Sequence, residues 1–256
     1  MSKFNFLPSS NMKFLEKRAS EFRQENGLSD RDCIRLKSLL HKLNVLTVFK
    51  PLDESLSGMA IKINESYATH RFILVNSNQS LGRQHFTLCH ELYHLYIQSD
   101  FTFQYCNPGT FDKKDIEEYK ADCFAAYFLI PRDGVYMLID NWDELELNKI
   151  TLPTLLRIEQ YFSCSRTALL YRLEEMGLTD RTFTEKYKTD VRKNAAAYGY
   201  SKELYENGNH NQFIGDYGSR AKELYDIEKI SESHYHTLLL DLGINLEALT
   251  LSEIYE

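Results

Sequence analysis

One five-residue pattern, His90-Glu91-Leu92-Tyr93-His94, constrains this chain more than any other part of its sequence. The stretch 83–97 around it keeps a helical spacing of apolar side chains and contains neither proline nor glycine. Residues four apart lie one turn apart on the same helix face, so both imidazoles can bind one metal ion. The pattern is typical of zinc hydrolases. The alternative is a core helix whose histidines are only hydrogen-bonded, which would leave buried polar groups in need of other partners.

A third metal ligand is expected, because a catalytic zinc usually has three protein ligands and keeps its fourth position for water. The best donors lie in a predicted helix over 115–130, which Pro131 ends. Glu118 can bind the metal, while Asp122, one turn later, can accept a proton from the far nitrogen of a ligand histidine. Glu117 stays open as the ligand, since its position continues the apolar stripe of this helix. A solvated acidic helix start is a further interpretation of these carboxylates.

Two stretches of the sequence carry a family resemblance. The stretch Phe86–Leu95 and the pattern Glu118-x-x-Ala121-Asp122-x-Phe124-Ala125-Ala126-x-x-Leu129-Ile130-Pro131 resemble the ImmA/IrrE metallopeptidase family, as does Ile73–Asn76 ahead of them. In that family the glutamate three before the alanine is the third ligand, so the resemblance favours Glu118 over Glu117. The chain departs from the family at Tyr93, where glycine is usual, and at Cys89, where alanine is usual. Neither departure removes a ligand.

The resulting expectation is a zinc enzyme. His90, His94 and Glu118 would bind Zn²⁺, and Glu91 would take the proton of the attacking water and deliver it to the leaving amine. The resemblance further implies a protein substrate, a helix-turn-helix repressor whose cleavage switches on mobile-element or stress-response genes. A non-catalytic zinc-containing regulator or toxin-antitoxin partner is the alternative, although such a protein has no need of Glu91.

The chain is expected to fold as an α+β protein in three parts. A zincin-like metallopeptidase domain spans 1–145, a helix-turn-helix-like segment 146–180, and a helical extension 181–256. Helices are predicted within 12–42, the second opening after Ser29-Asp30, and 185–197 is predicted as one helix. Short strands are predicted over 45–49, 59–63 and 72–75, ahead of the metal helix. An edge strand of such a sheet can hold an extended substrate by main-chain pairing.

The helix-turn-helix shape over 152–177 raises the question of DNA binding. Its four neighbouring cations, at 149, 157, 166 and 172, are balanced by four glutamates, at 146, 159, 174 and 175. The tail 179–256 carries nine basic and fourteen acidic residues. Since neutralising phosphates requires a positive excess, a structural role is favoured and direct nucleic-acid binding is not expected.

Composition indicates a cytoplasmic protein. The start lacks a basic segment followed by an apolar run, and no stretch approaches the length of a membrane span. Five cysteines, an odd number without paired spacing, favour reduced thiols. Cys106 is predicted in a loop between the metal helices, either as an ordinary thiol or as a redox-sensitive inhibitor that approaches the zinc. His234 and His236 are two apart and make a poor metal pair.

The residues that bind the substrate cannot be identified from the sequence. A donor to the developing oxyanion is expected near the metal. Four side chains qualify by type, Tyr67, His70, His85 and Tyr105, and nothing in their spacing separates them from ordinary core or loop residues.

Overall fold

A computed structural model of the protein describes residues 8–106, 109 and 115–244. Within these residues the chain forms a mixed α+β fold, as predicted. The α-helices are α1 (Ser9–Glu25), α2 (Leu36–Lys42), α3 (Leu81–Tyr96), α4 (Ile116–Leu129), α5 (Arg132–Met137), α6 (Leu152–Phe162), α7 (Arg166–Glu175), α8 (Arg181–Tyr187), α9 (Val191–Ala197), α10 (Tyr217–Asp226) and α11 (Glu232–Asp241). The strands are β1 (Leu46–Lys50), β2 (Gly58–Asn64), β3 (Thr69–Asn76), β4 (Phe103–Cys106) and β5 (Phe213–Ile214). Two 3-10 helices span Trp142–Leu145 and Glu203–Tyr205.

The strands form one five-stranded sheet in the order β4-β2-β3-β1-β5. Strand β1 runs parallel to β3, and the other neighbours pair antiparallel. The three predicted strands are therefore β1, β2 and β3. Strands β4 and β5 lie at the two edges of this sheet, so each pairs with one neighbour only.

Helix α3 is the centre of the packing. It contacts β2 and β3 on the sheet and also contacts α4, which in turn packs against α1. Twelve of its sixteen residues are buried. Ala125 and Ala126 of α4 are buried as well, and their small side chains let neighbouring helices approach closely. A rigid, enclosed helix results, as the metal-binding pattern requires. No helix in the described part of the chain is long and apolar enough to cross a membrane.

The second helix begins later than predicted. The sequence predicts its start after Asp30, whereas α2 begins at Leu36. The reason is the fully buried Arg23, whose guanidinium donates hydrogen bonds to the main-chain oxygens of Ser29 and Asp32. These bonds hold the segment after Ser29 as a turn around the cation, because a helix there would use its carbonyls for its own hydrogen bonds.

The prediction of a loop is wrong at Cys106. Cys106 ends strand β4 and lies opposite Gly58 of β2, while Phe103 lies opposite Ile61. The four-residue strand is held by pairing with β2, a distant segment, and not by a local signal. The side chain of Cys106 lies outside the described residues, so its approach to the metal stays a prediction.

The helix-turn-helix-like segment is built by α6 and α7. Thr151 and Ser165 cap the two helices, and Gly177 follows α7 with a φ of 77°, as their sequence suggests. Two of its arginines are buried in the protein. Arg166 Nη2 lies 2.6 Å from Glu159 Oε2, and Arg172 Nε donates to Ile130 O at 3.0 Å. Neither guanidinium faces solvent, where a phosphate would bind.

The C-terminal region is more broken than predicted. The single helix predicted over 185–197 is two helices, α8 and α9, because Asp190 adopts a left-handed φ of 56° between them. The division of the chain into 1–145, 146–180 and 181–256 stays a prediction. Contacts do cross its last boundary. Tyr205 Oη donates to Glu159 Oε2 at 3.1 Å and joins the C-terminal region to α6.

Residues 203–214, which we call the C-terminal clasp, form hydrogen bonds with the start of α3. The main-chain nitrogen of Leu81 donates to Glu206 O at 2.8 Å, and Ser80 forms a β-bridge with Asn207. Strand β5 at the end of the clasp pairs with β1. Since the first helical nitrogens have no partner inside their own helix, the clasp satisfies one of them and fixes where α3 begins.

Gln84 is the buried link between α3 and the clasp. Its Nε2 donates to Gln79 O at 2.7 Å and to Gly208 O at 3.1 Å. Its Oε1 accepts from Asn209 Nδ2 at 2.9 Å. The side chain is fully buried, so these bonds are made away from water. Position and orientation of α3 therefore depend on a contact with residues more than a hundred positions later.

Replacing Gln84 tests this dependence. Gln84→Ala should lower the free energy of unfolding by about 2–3 kcal/mol, because two half-buried carbonyls and one amide lose a hydrogen bond to a buried side chain. Gln24→Ala is the matched control, since the Gln24 side chain is exposed and donates a long hydrogen bond to Ser20 Oγ at 3.3 Å; its cost should stay below about 0.5 kcal/mol. Urea denaturation of both variants measures the difference, and equal losses would contradict the role of Gln84.

Candidate metal centre

Helix α3 brings two histidines together in the interior. His90 and His94 are fully buried, and their Nε2 atoms lie 3.1 Å apart. The spacing of one helical turn places both rings on one face, as the sequence predicts. The ring of His94 also stacks on Phe101, with the centroids 5.2 Å apart.

Helix α4 supplies a carboxylate to the same point. The side chain of Asp115 caps the helix by accepting hydrogen bonds from the main-chain nitrogens of Glu117 and Glu118. Glu118 then reaches both imidazoles, with Oε2 at 3.3 Å from His90 Nε2 and Oε1 at 3.2 Å from His94 Nε2. The three side chains offer ligand atoms within 4.8 Å of one another. The distances match those between donors that share one ion.

Glu117 has other partners. Its Oε2 accepts from the hydroxyl of Tyr93 at 2.8 Å, and its Oε1 lies 2.7 Å from Lys120 Nζ. The structure thus brings Glu118 to the histidines and Glu117 to Tyr93. Because Tyr93 stands where the family usually has glycine, the departure provides the hydroxyl that holds Glu117.

The far nitrogens of both histidines bind acceptors. His90 Nδ1 lies 2.9 Å from Asp122 Oδ1, which also accepts from the main-chain nitrogen of Gly109 at 2.7 Å. His94 Nδ1 lies 2.5 Å from Gln98 Oε1. A carboxylate and an amide oxygen accept hydrogen bonds, so each Nδ1 carries the proton and each Nε2 presents a lone pair.

These tautomers leave three acceptors facing one another. The two Nε2 lone pairs and the carboxylate of Glu118 converge, and neutral imidazoles have no proton left to place between them. A cation among the three relieves this crowding. Two imidazole nitrogens and one carboxylate form the ligand set of many catalytic zinc sites, so the residues present fit Zn²⁺.

Glu118 is ionised throughout the ordinary pH range. Burial opposes its charge, but when His90 and His94 also carry a proton on Nε2 in the metal-free site, their hydrogen bonds and positive charge outweigh burial and hold the pKa of Glu118 at about 2. The group is therefore ready to bind a cation without first losing a proton.

Glu91 is fully buried next to the ligand His90. Its carboxylate lies against the main chain of β2: a Cβ atom added to Gly58 would stand 2.8 Å from Glu91 Oε1. The side chain is therefore held between α3 and the sheet, with Glu118 and Asp122 supplied from the neighbouring helix α4.

Tyr67, His70 and His85, three candidates for the oxyanion donor, contact residues outside the group formed by His90, His94 and Glu118. Tyr67 is 84% exposed and hydrogen-bonds Glu65, which also lies 3.7 Å from His70. His85 Nδ1 lies 2.7 Å from Ser163 O, and burial lowers the pKa of His85. The side chain of the fourth candidate, Tyr105, lies outside the described residues.

The sequence analysis did not identify four residues that contact the centre or its neighbours: Gly58, Gln98, Phe101 and Gly109. Gln98 follows His94 by one helical turn, so the spacing used for the metal pair would have found it. Gly58 opens a strand, and a glycine there often marks a close approach of another group. Phe101 and Gly109 reach the site through loops and carry no comparable signal.

Other histidines form no comparable group. Among the residues that the structure describes, His90, His94 and Glu118 are the one set of three that could hold a metal ion. His234 and His236 lie on α11 and are exposed or half-buried, with His236 Nε2 3.9 Å from Glu232.

The comparison with known families identifies the chain. The sequence model of the Peptidase_M78 family, described as the IrrE N-terminal-like domain, matches residues 40–174. No curated protein matches the chain. The matched region includes α3 and α4 with the three converging ligand atoms, and it spans more than half of the sequence. The protein therefore belongs to the Peptidase_M78 family of metallopeptidases, whose domain has a zincin-like fold.

Proposed function

We propose that the protein is a zinc-dependent endopeptidase that cleaves a helix-turn-helix repressor and thereby switches on mobile-element or stress-response genes. The observation that carries the enzymatic part is the convergence of His90 Nε2, His94 Nε2 and the Glu118 carboxylate, with the buried Glu91 on the same helix as the two histidines. The family match supports peptidase chemistry. The repressor as substrate rests on the resemblance to the ImmA/IrrE family.

His90, His94 and Glu118 would hold the zinc. When bound there, Zn²⁺ polarises a substrate carbonyl and lowers the pKa of a water molecule beside it. Asp122 and Gln98 keep the two imidazoles in the tautomer that presents Nε2. Three protein side chains would hold the ion, which is the number typical of catalytic zinc sites.

Glu91 is the proton carrier of this mechanism. Its position directly after His90 on the buried helix α3 supports a carboxylate that serves the site without binding the metal itself. A carboxylate oxygen takes the proton of the attacking water and then gives it to the nitrogen of the leaving amine. The alternative, a non-catalytic zinc-containing regulator or toxin-antitoxin partner, leaves the presence of this buried carboxylate without a purpose.

Strand β4 offers a place for the substrate backbone. Among the described strands it lies at the edge of the sheet next to β2, and Phe103 at its start is exposed. Its last residue, Cys106, lies opposite Gly58, which in turn lies against Glu91. An extended peptide that pairs with the outer side of β4 would run two strand positions from Gly58, with β4 in between.

We also propose that the protein acts in the cytoplasm, where its substrate class is found. The described cysteines, Cys33, Cys89, Cys123 and Cys164, are all free thiols, as expected in a reducing compartment.

Removal of the third ligand tests the metal assignment. Wild-type protein should bind about one zinc per chain, and Glu118→Ala should weaken zinc binding by more than the roughly ten- to hundredfold cost of losing an outer partner. Glu117→Ala is the matched control, because its carboxylate bonds Tyr93 and Lys120 instead. Chelator competition gives the dissociation constants. Equal zinc retention in both variants would contradict Glu118 as the ligand.

Removal of the proton carrier tests the enzyme against the binding protein. Glu91→Gln keeps the size of the side chain but removes the base, so cleavage should slow by roughly 10²–10⁴-fold with zinc content unchanged. Glu223→Gln, an exposed change of the same kind, should cleave as wild type does.

The assay uses co-expression with a candidate helix-turn-helix repressor, taken from the neighbouring genes where one of them encodes such a protein, followed by mass analysis of its fragments. Labelling of new N-termini in cell lysate detects cleavage of any other protein. An intact repressor with wild-type enzyme, together with gene induction by both wild type and Glu91→Gln, would show that the site belongs to a binding protein.

A further inference from the structure

Gly58 occupies an inner position of the sheet with little freedom to move. It opens β2 and lies opposite Val75 of β3 on one side and Cys106 of β4 on the other. The preceding residue, Ser57, is buried and accepts a hydrogen bond from the main-chain nitrogen of Asn76 at 2.9 Å. The main chain at Gly58 is thus held by its pairing with β3, by its pairing with β4 and by the hydrogen bond of the preceding residue.

The conformation of the backbone does not require glycine at this position. Gly58 is not among the glycines with positive φ, so an L-residue could adopt its main-chain angles. Space is the constraint. A Cβ atom there would stand 2.5 Å from Thr87 Cγ2, 2.8 Å from Glu91 Oε1 and 3.2 Å from Leu74 O. Carbon atoms in contact normally lie about 3.5–4.0 Å from their neighbours.

The two closest atoms belong to one face of α3, since Thr87 and Glu91 lie one turn apart. Both residues are fully buried. The threonine is branched at Cβ and has a stiff side chain, whereas the Glu91 carboxylate is the far end of a longer, more flexible one. An added methyl group would therefore displace the carboxylate more readily than the helix or the strand.

We propose that Gly58 is a positioning residue for Glu91: the missing side chain at Gly58 sets where the carboxylate of Glu91 stands. The inference rests on the proposed function, in which Glu91 moves a proton. A misplacement of about 1 Å in such a group can slow a reaction by roughly a hundredfold. None of the three atoms nearest to the added Cβ belongs to His90, His94 or Glu118.

The test compares two glycine-to-alanine changes. Gly58→Ala should lower kcat by roughly ten- to hundredfold with KM and the zinc dissociation constant little changed. Gly134→Ala is the matched control, because its Cβ would stand 2.5 Å from Phe162 Cζ on α6, an equally crowded contact in another part of the core. It should lower the Tm but leave kcat as in wild type. A quenched fluorescent peptide that spans the cleavage site found by N-terminal labelling is the substrate.

A second readout is independent of catalysis. In metal-free protein, Gly58→Ala should lower the Tm less in a Glu91→Ala background than in wild type, because the carboxylate is no longer there to be displaced. Equal Tm losses in the two backgrounds would overturn the inference. If Gly58→Ala does not fold, adding Thr87→Ser removes the shorter contact and keeps the one with Glu91, so the double variant takes its place.

The outcomes separate this inference from the proposed function. Cleavage by Glu91→Gln at the wild-type rate contradicts the function itself. A wild-type kcat for Gly58→Ala, with Glu91→Gln inactive, leaves the function intact and overturns the positioning role of Gly58. A Thr87→Ser change that restores the kcat of Gly58→Ala also overturns it, since the effect would then come from Thr87.

Discussion

The crowding of three acceptors in the interior determines most of what this protein can do. His90 Nε2 and His94 Nε2 lie 3.1 Å apart, and the Glu118 carboxylate lies 3.2–3.3 Å from them. Lone pairs so placed repel one another, and both histidines are fully buried. The rest of the site follows from that constraint. Asp122 and Gln98 fix the tautomers, and α4 must stay close to α3 for the carboxylate to reach.

The scaffold that holds these acceptors extends beyond the family match. Residues 40–174 contain both metal-site helices, yet the start of α3 is gripped by the C-terminal clasp at 203–214. The buried amide of Gln84 joins the two, and β5 at the end of the clasp adds an edge strand to the sheet. Helix α1 packs against α4 from the other end of the chain. Segments outside the matched region therefore help to fix the geometry of the centre.

Helical periodicity let the sequence predict α3, α4 and the residues they bring together, because a metal pair and its orienting groups repeat at one-turn spacing. It could not choose between Glu117 and Glu118 without the family resemblance, since both lie beside the apolar stripe. In the structure the hydroxyl of Tyr93 and the ammonium of Lys120 bind Glu117, while Glu118 lies against the two histidines. Strands β4 and β5 escaped prediction because each is short and held by distant partners. The late start of α2 depends on Arg23, a contact that no local pattern shows.

The identity of the atoms around the metal tests the account most directly. X-ray absorption at the zinc edge of the full-length, zinc-loaded protein reports those atoms without any knowledge of the substrate. A centre built by His90, His94 and Glu118 with one open position predicts nitrogen and oxygen neighbours alone, at about 2.0–2.2 Å, with two imidazoles among them. A sulfur neighbour at about 2.3 Å would place a cysteine in the coordination shell and contradict an open, three-ligand centre.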